Sequence, residues 1–214
     1  GPASGRTIVI TAPTGNVGRR VVANVLESGA RIRLIARDPS RLPEDVRRWA
    51  ELVQGSHGAR EVVLRAFEGA DTVFWICPPN PRAANPVEAY LGFTAPAVEA
   101  IRSRGVRRVV SLSALGRGTP MASRAGHVTA PLAMGDLIAS TGVDFRALTC
   151  PSFMDNVVRQ AAAIRENGVF FSPIDGDRRM PSCAARDITA SAARLLLDPS
   201  WRGRGHLAVL GPED

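Results

Sequence analysis

The sequence contains no lysine and only one tyrosine, and these shortages exclude several kinds of chemistry. All 27 basic side chains among the 214 residues are arginine, and the single tyrosine is Tyr90. Without lysine the chain can form neither a Walker-type phosphate loop nor a Schiff base with a substrate. A proton-transfer pair of the Tyr-x-x-x-Lys type is excluded for the same reason.

Cysteine, histidine and long apolar runs are also scarce. The three cysteines lie far apart and include no C-x-x-C pair, which argues for a reducing compartment and against a disulfide framework. The three histidines show no metal-ligand spacing, so we expect no zinc site. No apolar run approaches the ~20 residues that a membrane span requires, and the start of the chain lacks signal-peptide character. We therefore expect a cytoplasmic protein without a membrane partner.

The net charge of +7 and the isoelectric point near 10.9 raise the question of nucleic-acid binding. The arginines are dispersed along the chain, however, and aromatic residues, on which bases could stack, make up only 5% of it. No helix-turn-helix or zinc-finger pattern is present. We therefore expect a solvated basic surface and no nucleic-acid partner.

Short β-branched runs alternate with amphipathic stretches along the first 150 residues. Near-continuous apolar runs of this kind are typical of strands buried on both faces of a parallel sheet. Alternation of such strands with helices predicts a doubly wound α/β sheet with right-handed crossovers. The predicted strands are 7–11, 31–36, 51–54, 71–77, 106–112 and 143–149, and the helices are 16–28, 43–50, 59–68, 87–104 and 131–141. Pro96 is expected to kink or divide the fourth helix.

The last third of the sequence is less regular. Helices are predicted at 153–166 and 187–197, the second with Asp187 as N-cap. Short strands are predicted at 169–171 and 206–210, with a loop from 173 to 186. Because nothing marks a linker, we expect this part to pack against the carboxyl edge of the sheet.

The sharpest local feature is the glycine-rich segment TAPTGNVG at residues 11–18, between a predicted strand and a predicted helix. Gly15 would let the backbone approach a pyrophosphate, and Gly18 would let the helix pack closely on the strand. In this setting the segment predicts nucleotide binding, although a tight turn without a ligand is the alternative. Ala12 stands where the pattern has its first glycine, which could weaken or shift cofactor binding.

The end of the second strand bears on the choice of cofactor. An NAD-preferring site places Asp or Glu there, whereas this chain has Arg37 followed by Asp38. An arginine can pair with a 2′-phosphate, so we expect NADP(H) to be favoured over NAD(H). The alternative is that Arg37 is a surface residue and Asp38 binds the ribose.

With these residues in hand, the chain resembles the NmrA-like atypical short-chain dehydrogenase/reductases over nearly its whole length. The matching segments are TAPTGNVG, LIARDPSRL, GADTVFWICPP, GVRRVVSLSALG, STGVDFRALTCPSFMDN and ARDITASAARLLLDP. The resemblance implies a Rossmann-type NAD(P)-binding domain at residues 6–150, with a short carboxyl-terminal substrate lobe at 151–214 on the same domain. Thr149 and Cys150 depart from the Arg-Pro pair that the family commonly has.

The resemblance also implies which residues form the site. The cofactor would contact Ala12, Thr14, Gly15, Asn16, Val17, Gly18, Arg37, Cys77, Pro78 and Ser111. The substrate would lie over the nicotinamide, beside Pro79, Ser113, His127, Pro151, Ser152 and Phe153.

Catalysis needs a substitute for the missing Tyr–Lys pair, because Pro131 stands where the lysine would be. His127 is the best candidate for proton transfer, since an unperturbed histidine has a pKa near ~6.5. Ser113 could donate a hydrogen bond to the substrate. Asp136 could orient a base, and Tyr90 is expected to be a packing residue on its helix.

Two main functions remain open at this stage. One is an NADPH-dependent oxidoreductase acting on a small quinone-like, enone or secondary-metabolite substrate. The other is an NADP(H)-binding sensor without turnover, and a non-redox tailoring enzyme that uses the same cleft is a further possibility. A homodimer is common among relatives, but the sequence leaves the oligomeric state open.

Overall fold

The computed structural model describes residues 5–119, 128–172, 176–177 and 179–212, and its centre is a parallel sheet of seven strands. The strand order is β3-β2-β1-β4-β5-β6-β9. Strands β2 and β3 are therefore added on one side of β1 and the later strands on the other, so the strand order reverses between β1 and β4. This confirms the α/β doubly wound fold class. The strands of the sheet are β1 Thr7–Thr11, β2 Arg31–Ala36, β3 Glu51–Gln54, β4 Ala70–Trp75, β5 Arg108–Ala114, β6 Asp144–Cys150 and β9 Arg204–Ala208.

Helices cover both faces of the sheet. They are α1 Asn16–Leu26, α2 Glu44–Trp49, α3 Arg60–Ala66, α4 Pro86–Arg104, α5 Thr129–Ala139, α6 Asp155–Val158, α7 Ala161–Asn167 and α8 Ala185–Leu197. Alternate strand residues point to opposite faces, and each face has its own core. Ile8 and Ile10 of β1 pack with α1 and α8, whereas Val9 packs with α3, α4 and α5.

Helix α4 runs unbroken for 19 residues, so the expectation that Pro96 divides it is wrong. The helix is well capped, because Asn85 accepts hydrogen bonds from the N–H groups of Val87 and Glu88, and Gly105 closes it in the left-handed conformation with φ of 67°. It also packs against α3 and α5. These contacts outweigh the backbone hydrogen bond that a proline removes.

The segment after β6 differs most from its sequence-based prediction. The helix expected at 153–166 is two short helices, α6 and α7, preceded by a two-residue strand, β7 Ser152–Phe153, which pairs with β8 Ser182–Cys183. The strand expected at 169–171 does not form. The Gln160 side chain instead bonds both backbone groups of Phe171, at 2.8 and 2.9 Å.

The carboxyl-terminal segment nevertheless contributes to the main sheet. Strand β9 pairs in parallel with β6, and α8 packs against α1. Among the described residues, no helix combines the length and the apolar character needed to cross a bilayer.

Candidate active site

The glycine-rich loop after β1 is built from close backbone contacts. The N–H of Gly15 donates to the carbonyl of Ala12 at 3.1 Å. A Cβ on Gly18 would lie 2.0 Å from the same carbonyl oxygen, so no side chain fits there. Ala12 has φ of 49°, the one positive value for a residue other than glycine in the described part of the chain. The residue that departs from the glycine pattern therefore adopts the left-handed conformation that glycine favours.

The loop leads directly into the amino terminus of α1, which has no cap from the protein. Gly15 is the N-cap residue and has no side chain to accept a hydrogen bond, and the first turn contains no acidic residue. Free N–H groups and the positive end of the helix dipole favour an anion at such a position. The loop can therefore hold the phosphates of a dinucleotide.

A cavity of about 220 Å³ lies beside this loop, at the ends of β1, β2 and β3. Arg37 lines the cavity, and in the described part of the chain its side chain has neither an ion pair nor a hydrogen bond. Asp38 is engaged elsewhere, since its carboxylate accepts from the Ser40 N–H at 3.1 Å and from the Ser40 hydroxyl at 2.6 Å. These bonds lower the pKa of Asp38. The free charged group at this edge of the cavity is thus the guanidinium.

His57 also lines this cavity, a position that the sequence did not predict. Its Nε2 lies 2.8 Å from the carbonyl oxygen of Ile76, which can only accept, so Nε2 carries the proton. The ring packs edge-on against Trp75 and Phe93, at 5.3 and 4.8 Å between centroids. Burial lowers the pKa of His57, so the ring is neutral at physiological pH.

A second cavity, of about 320 Å³, opens at the ends of β4, β5 and β6, and we name it the cleft. Four residues predicted for the site line it: Cys77, Pro79, Ser113 and Phe153. Tyr90, which was expected to be only a packing residue, lines it as well. The remaining lining residues are Ile76, Leu112, Ala114, Pro131, Met134 and Cys150.

The other predicted site residues lie around the two cavities. Ala12, Thr14, Gly15, Arg37 and Pro78 line the cavity beside the loop. Asn16 and Val17 open α1, Pro151 is half-buried, and Ser152 is exposed in β7; none of these four lines either cavity. His127 lies outside the described residues.

Ser111, which was predicted to contact the cofactor, lies away from both cavities. It is fully buried in β5, between Trp75 of β4 and Ala147 of β6. It lines neither cavity, because a residue in the middle of a covered strand cannot reach the carboxyl edge of the sheet. The hydroxyl that reaches the cleft from this strand is that of Ser113.

The thiols of the cleft are neutral. Burial raises the pKa of Cys77 to about 12, and burial together with the neighbouring Cys183 raises the pKa of Cys150 to about 12. No reactive thiolate is therefore expected at neutral pH. In the described ranges, no group of three histidine, cysteine or acidic side chains is arranged to hold a metal ion.

Asp136, which was considered as the group that orients a base, and Asp155 both have structural partners. Asp136 forms an ion pair with Arg117 at 2.9 Å and is largely exposed. Asp155 accepts a hydrogen bond from the N–H of Ala185 at 3.0 Å, which caps α8, and it also bonds Asn16 and Arg20 of α1. Asp187 is in the first turn of α8 and is not its N-cap, so that expectation is wrong.

A larger cavity, of about 510 Å³, is at the opposite edge of the sheet. Four arginines line it, and all four are already engaged: Arg108 and Arg107 pair with Asp71 at 2.6 and 4.0 Å, Arg202 pairs with Asp144 at 3.9 Å, and Arg102 bonds the Ser140 carbonyl. Ligands of open α/β sheets bind outside the carboxyl ends of the strands. The cavity beside the loop and the cleft meet that condition, and this one does not.

The position of the two cavities defines the class of protein. They flank the point where the strand order reverses, and a glycine-rich loop and a free helix amino terminus lie next to them, which is the arrangement of a dinucleotide-binding Rossmann fold. The family model described as NAD(P)H-binding matches residues 13–197. The chain belongs to this family, within its NmrA-like atypical short-chain dehydrogenase/reductase type, and it is classed as an NAD(P)H-dependent oxidoreductase.

Individual relatives agree with this assignment. A (4-alkanoyl-5-oxo-2,5-dihydrofuran-3-yl)methyl phosphate reductase from Streptomyces griseus is 32% identical over 208 residues, which are 96% of this chain and 68% of the relative. An NAD(P)H azoreductase from Xenophilus azovorans is 24% identical, with the same coverage of 96% and 68%. The NADPH complex of a quinone oxidoreductase from Escherichia coli superposes with a TM-score of 0.79, at 20% identity, over 96% of this chain and 70% of that one.

Proposed function

We propose that this protein is an NADPH-dependent reductase of small conjugated carbonyl compounds such as quinones and enones, and that it works without a Tyr–Lys pair. The observation that carries the proposal is the cleft, which is apolar apart from the hydroxyls of Ser113 and Tyr90 and opens beside Pro78 and Pro79, at the end of the cofactor cavity. A flat, weakly polar acceptor matches such a lining. The two relatives, both reductases, support the same class of reaction.

The residues around the loop fit the cofactor. Backbone N–H groups at the start of α1 would hold its phosphates, and the cavity lined by Ala36, His57 and Phe93 would hold its adenine end. When bound, the cofactor supplies the hydride. The protein binds and orients both partners, and the apolar side chains of the cleft exclude water from the reacting atoms.

A side cavity of about 240 Å³ adjoins the cleft and bears on the shape of the substrate. Pro79 and Tyr90 line both spaces, and the side cavity is otherwise bounded by Asn80, Pro81, Ala83, Pro86, Ala89 and Ala130. No charged side chain of the described residues lines it. The proposed substrate therefore has a compact conjugated head in the cleft and an uncharged, apolar substituent in the side cavity.

A preference for NADPH over NADH is part of the proposal. Arg37 supports it, since its guanidinium borders the cofactor cavity without a carboxylate partner, while Asp38 is bonded to Ser40. A guanidinium can form two parallel hydrogen bonds to a 2′-phosphate, which NADH lacks. Such a charge-assisted interaction contributes about 1.5–3 kcal/mol, so we expect NADPH to bind at least tenfold more tightly than NADH.

Calorimetric titration of both nucleotides tests this preference. Arg37→Asp should weaken NADPH binding at least tenfold and leave NADH binding nearly unchanged. Arg165→Asp is the matched control, because it makes the same change of charge at an exposed position on α7, in the carboxyl-terminal segment. Equal affinity of the native chain for the two nucleotides, or an equal response of both to Arg37→Asp, would contradict the preference.

Turnover is tested by NADPH oxidation with menadione and with cyclohexenone as acceptors. Oxidation of NADPH that depends on the acceptor supports the reductase. Tight binding of NADPH without oxidation by any acceptor would instead favour a sensor that responds to the cofactor.

The proposal includes a small-molecule substrate as the main partner, a homodimer, and a cytoplasmic location. Three free, buried cysteines support a reducing compartment. No nucleic-acid or membrane partner is proposed.

A further inference from the structure

Tyr90 is positioned to act on the substrate, although it lies on a different helix from the tyrosine that short-chain dehydrogenases use. It is half-buried on α4 and lines both the cleft and the side cavity. Ser113 reaches the same cleft from the end of β5. Two residues that carry hydroxyl groups, on separate elements, therefore line one space.

Neither hydroxyl has a hydrogen-bond partner among the described residues. A polar group that lines an apolar space without a partner is costly unless a ligand or water bonds to it. The rest of the described lining offers only apolar side chains and the two thiols of Cys77 and Cys150. A carbonyl oxygen in the cleft would thus find its hydrogen-bond donors in Tyr90 and Ser113.

We propose that Tyr90 is a catalytic residue, the acid that protonates the carbonyl oxygen of the substrate. The inference rests on the proposed reductase function. In an enone, a hydride adds to the carbon at the far end of the conjugated system, its C=C bond breaks, and the electron pair moves to the carbonyl oxygen. The Tyr90 hydroxyl gives its proton to that oxygen, the resulting enol converts to the saturated ketone, and the phenolate regains a proton from water.

The surroundings of Tyr90 keep its phenol protonated. Burial, and then the nearby Cys77, raise the pKa of Tyr90 above its ordinary value of 10. The ionisable groups that border the same cleft are the two thiols, whose pKa values are also raised, and no carboxylate or guanidinium of the described residues lines it. The phenol therefore carries its proton throughout the physiological range and loses it only above pH ~10.

Replacing the hydroxyl while keeping the ring is the direct test. In Tyr90→Phe we expect kcat with cyclohexenone to fall about 100-fold, since general acid catalysis contributes about 10²–10⁴-fold. The affinity for NADPH should not change, because Tyr90 does not line the cofactor cavity. Trp49→Phe is the control, as this side chain is 75% exposed on α2 and should leave kcat unchanged.

The pH dependence of activity in Tyr90→His distinguishes proton donation from a purely structural role of Tyr90. A histidine donates a proton only in its charged form, so the variant should regain activity relative to Tyr90→Phe as the pH falls below about 6.5. The native enzyme should show no such rise. If Tyr90→Phe retains full kcat while His127→Ala loses it, the proton comes from His127 and the inference is overturned.

A binding measurement separates this inference from the reductase function. Tyr90 is the only tyrosine, so the change in near-ultraviolet absorbance on adding cyclohexenone, compared between the native chain and Tyr90→Phe, isolates its contribution. A tyrosine signal is expected even if no NADPH is oxidised. Turnover without any tyrosine signal, and with kcat unchanged in Tyr90→Phe, would overturn the role of Tyr90 and leave the reductase function intact. Absence of both signal and turnover would overturn both.

Discussion

The cofactor end and the cleft of this molecule are built in different ways. At the cofactor end the shape comes from backbone: Ala12, Gly15 and Gly18 are within seven residues of one another and fix the loop by a hydrogen bond and a close contact. In the cleft the shape comes from side chains that lie far apart in sequence, such as Tyr90, Ser113 and Phe153. A substitution should therefore affect binding of the cofactor at the first end and turnover at the second.

The largest effect is expected at Gly18, where a substitution should disrupt the cofactor end and leave the lining of the cleft in place. In Gly18→Ala the new Cβ would overlap the Ala12 carbonyl oxygen, at 2.0 Å, so α1 must move away from β1. We expect the free energy of unfolding to fall by about 3 kcal/mol, the upper part of the range for overpacking. NADPH binding should be lost, because the loop and the start of α1 shift together. Chemical denaturation and calorimetric titration measure the two effects.

Gly92→Ala is the matched control for this prediction. Gly92 lies on α4 with open space where its Cβ would be, so alanine should raise stability by about 0.5–1 kcal/mol through helix propensity. Unchanged NADPH affinity in Gly18→Ala would show that the loop does not hold the cofactor.

The next largest effect is expected at Asp155, which links α1 at the cofactor end to α8. Its carboxylate caps α8 through the Ala185 N–H and bonds Asn16 and Arg20 of α1. Asp155→Ala leaves that N–H without a partner, so we expect a loss of about 1–3 kcal/mol in the free energy of unfolding. Asp187→Ala, in the first turn of the same helix, should cost about 0.3–1 kcal/mol through the helix dipole.

The effect of Asp155 should depend on pH in a defined direction. The Ala185 bond, then Asn16 and Arg20, lower the pKa of Asp155 in the folded state. A carboxylate with a lowered pKa stabilises the fold above its unfolded value, near ~3.9, and its contribution is lost as the pH falls through the folded value. The stability difference between the native chain and Asp155→Ala should therefore be full at pH 7 and shrink below about pH 4. A difference that stays constant down to pH 2 would rule out the ionised carboxylate as the cause.

The contrast between a loop built from neighbouring residues and a cleft built from distant ones explains how much could be predicted from the sequence. All six strands of the first 150 residues were placed within two residues, and so was the loop, because period, turn residues and the glycine spacing are local signals. The helix predicted at 153–166 is divided into α6 and α7, and it begins later than predicted because Ser152 and Phe153 pair with Ser182 and Cys183, thirty residues away. Asp187 was mistaken for the N-cap because the capping carboxylate comes from Asp155, thirty residues earlier.

The composition of the cleft was the hardest part to predict, because its lining comes from segments that lie far apart in the sequence. Tyr90 carries no motif and lies on a helix whose periodicity indicates only packing. It lines the cleft from α4, the helix that connects β4 to β5, and Ser113 lines the same cleft from the end of β5. His57 lines the cofactor cavity from the turn after β3, and it too carries no motif. Contacts between distant segments leave no local pattern in a single sequence.

The smallest effect is expected at Ala12, where a substitution alters the backbone conformation of the loop without removing a contact. Ala12 is left-handed, with φ of 49°, and a left-handed residue other than glycine costs about 1–2 kcal/mol. Ala12→Gly relieves that strain but adds about 0.4–1 kcal/mol of unfolded-state entropy. The net gain should be about 0.5–1 kcal/mol in the free energy of unfolding, measured by chemical denaturation. Ala190→Gly, at an exposed position in the interior of α8, has no such strain to relieve and should lower stability instead. NADPH affinity should change little in Ala12→Gly, because the Ala12 carbonyl that fixes the loop belongs to the backbone and is retained.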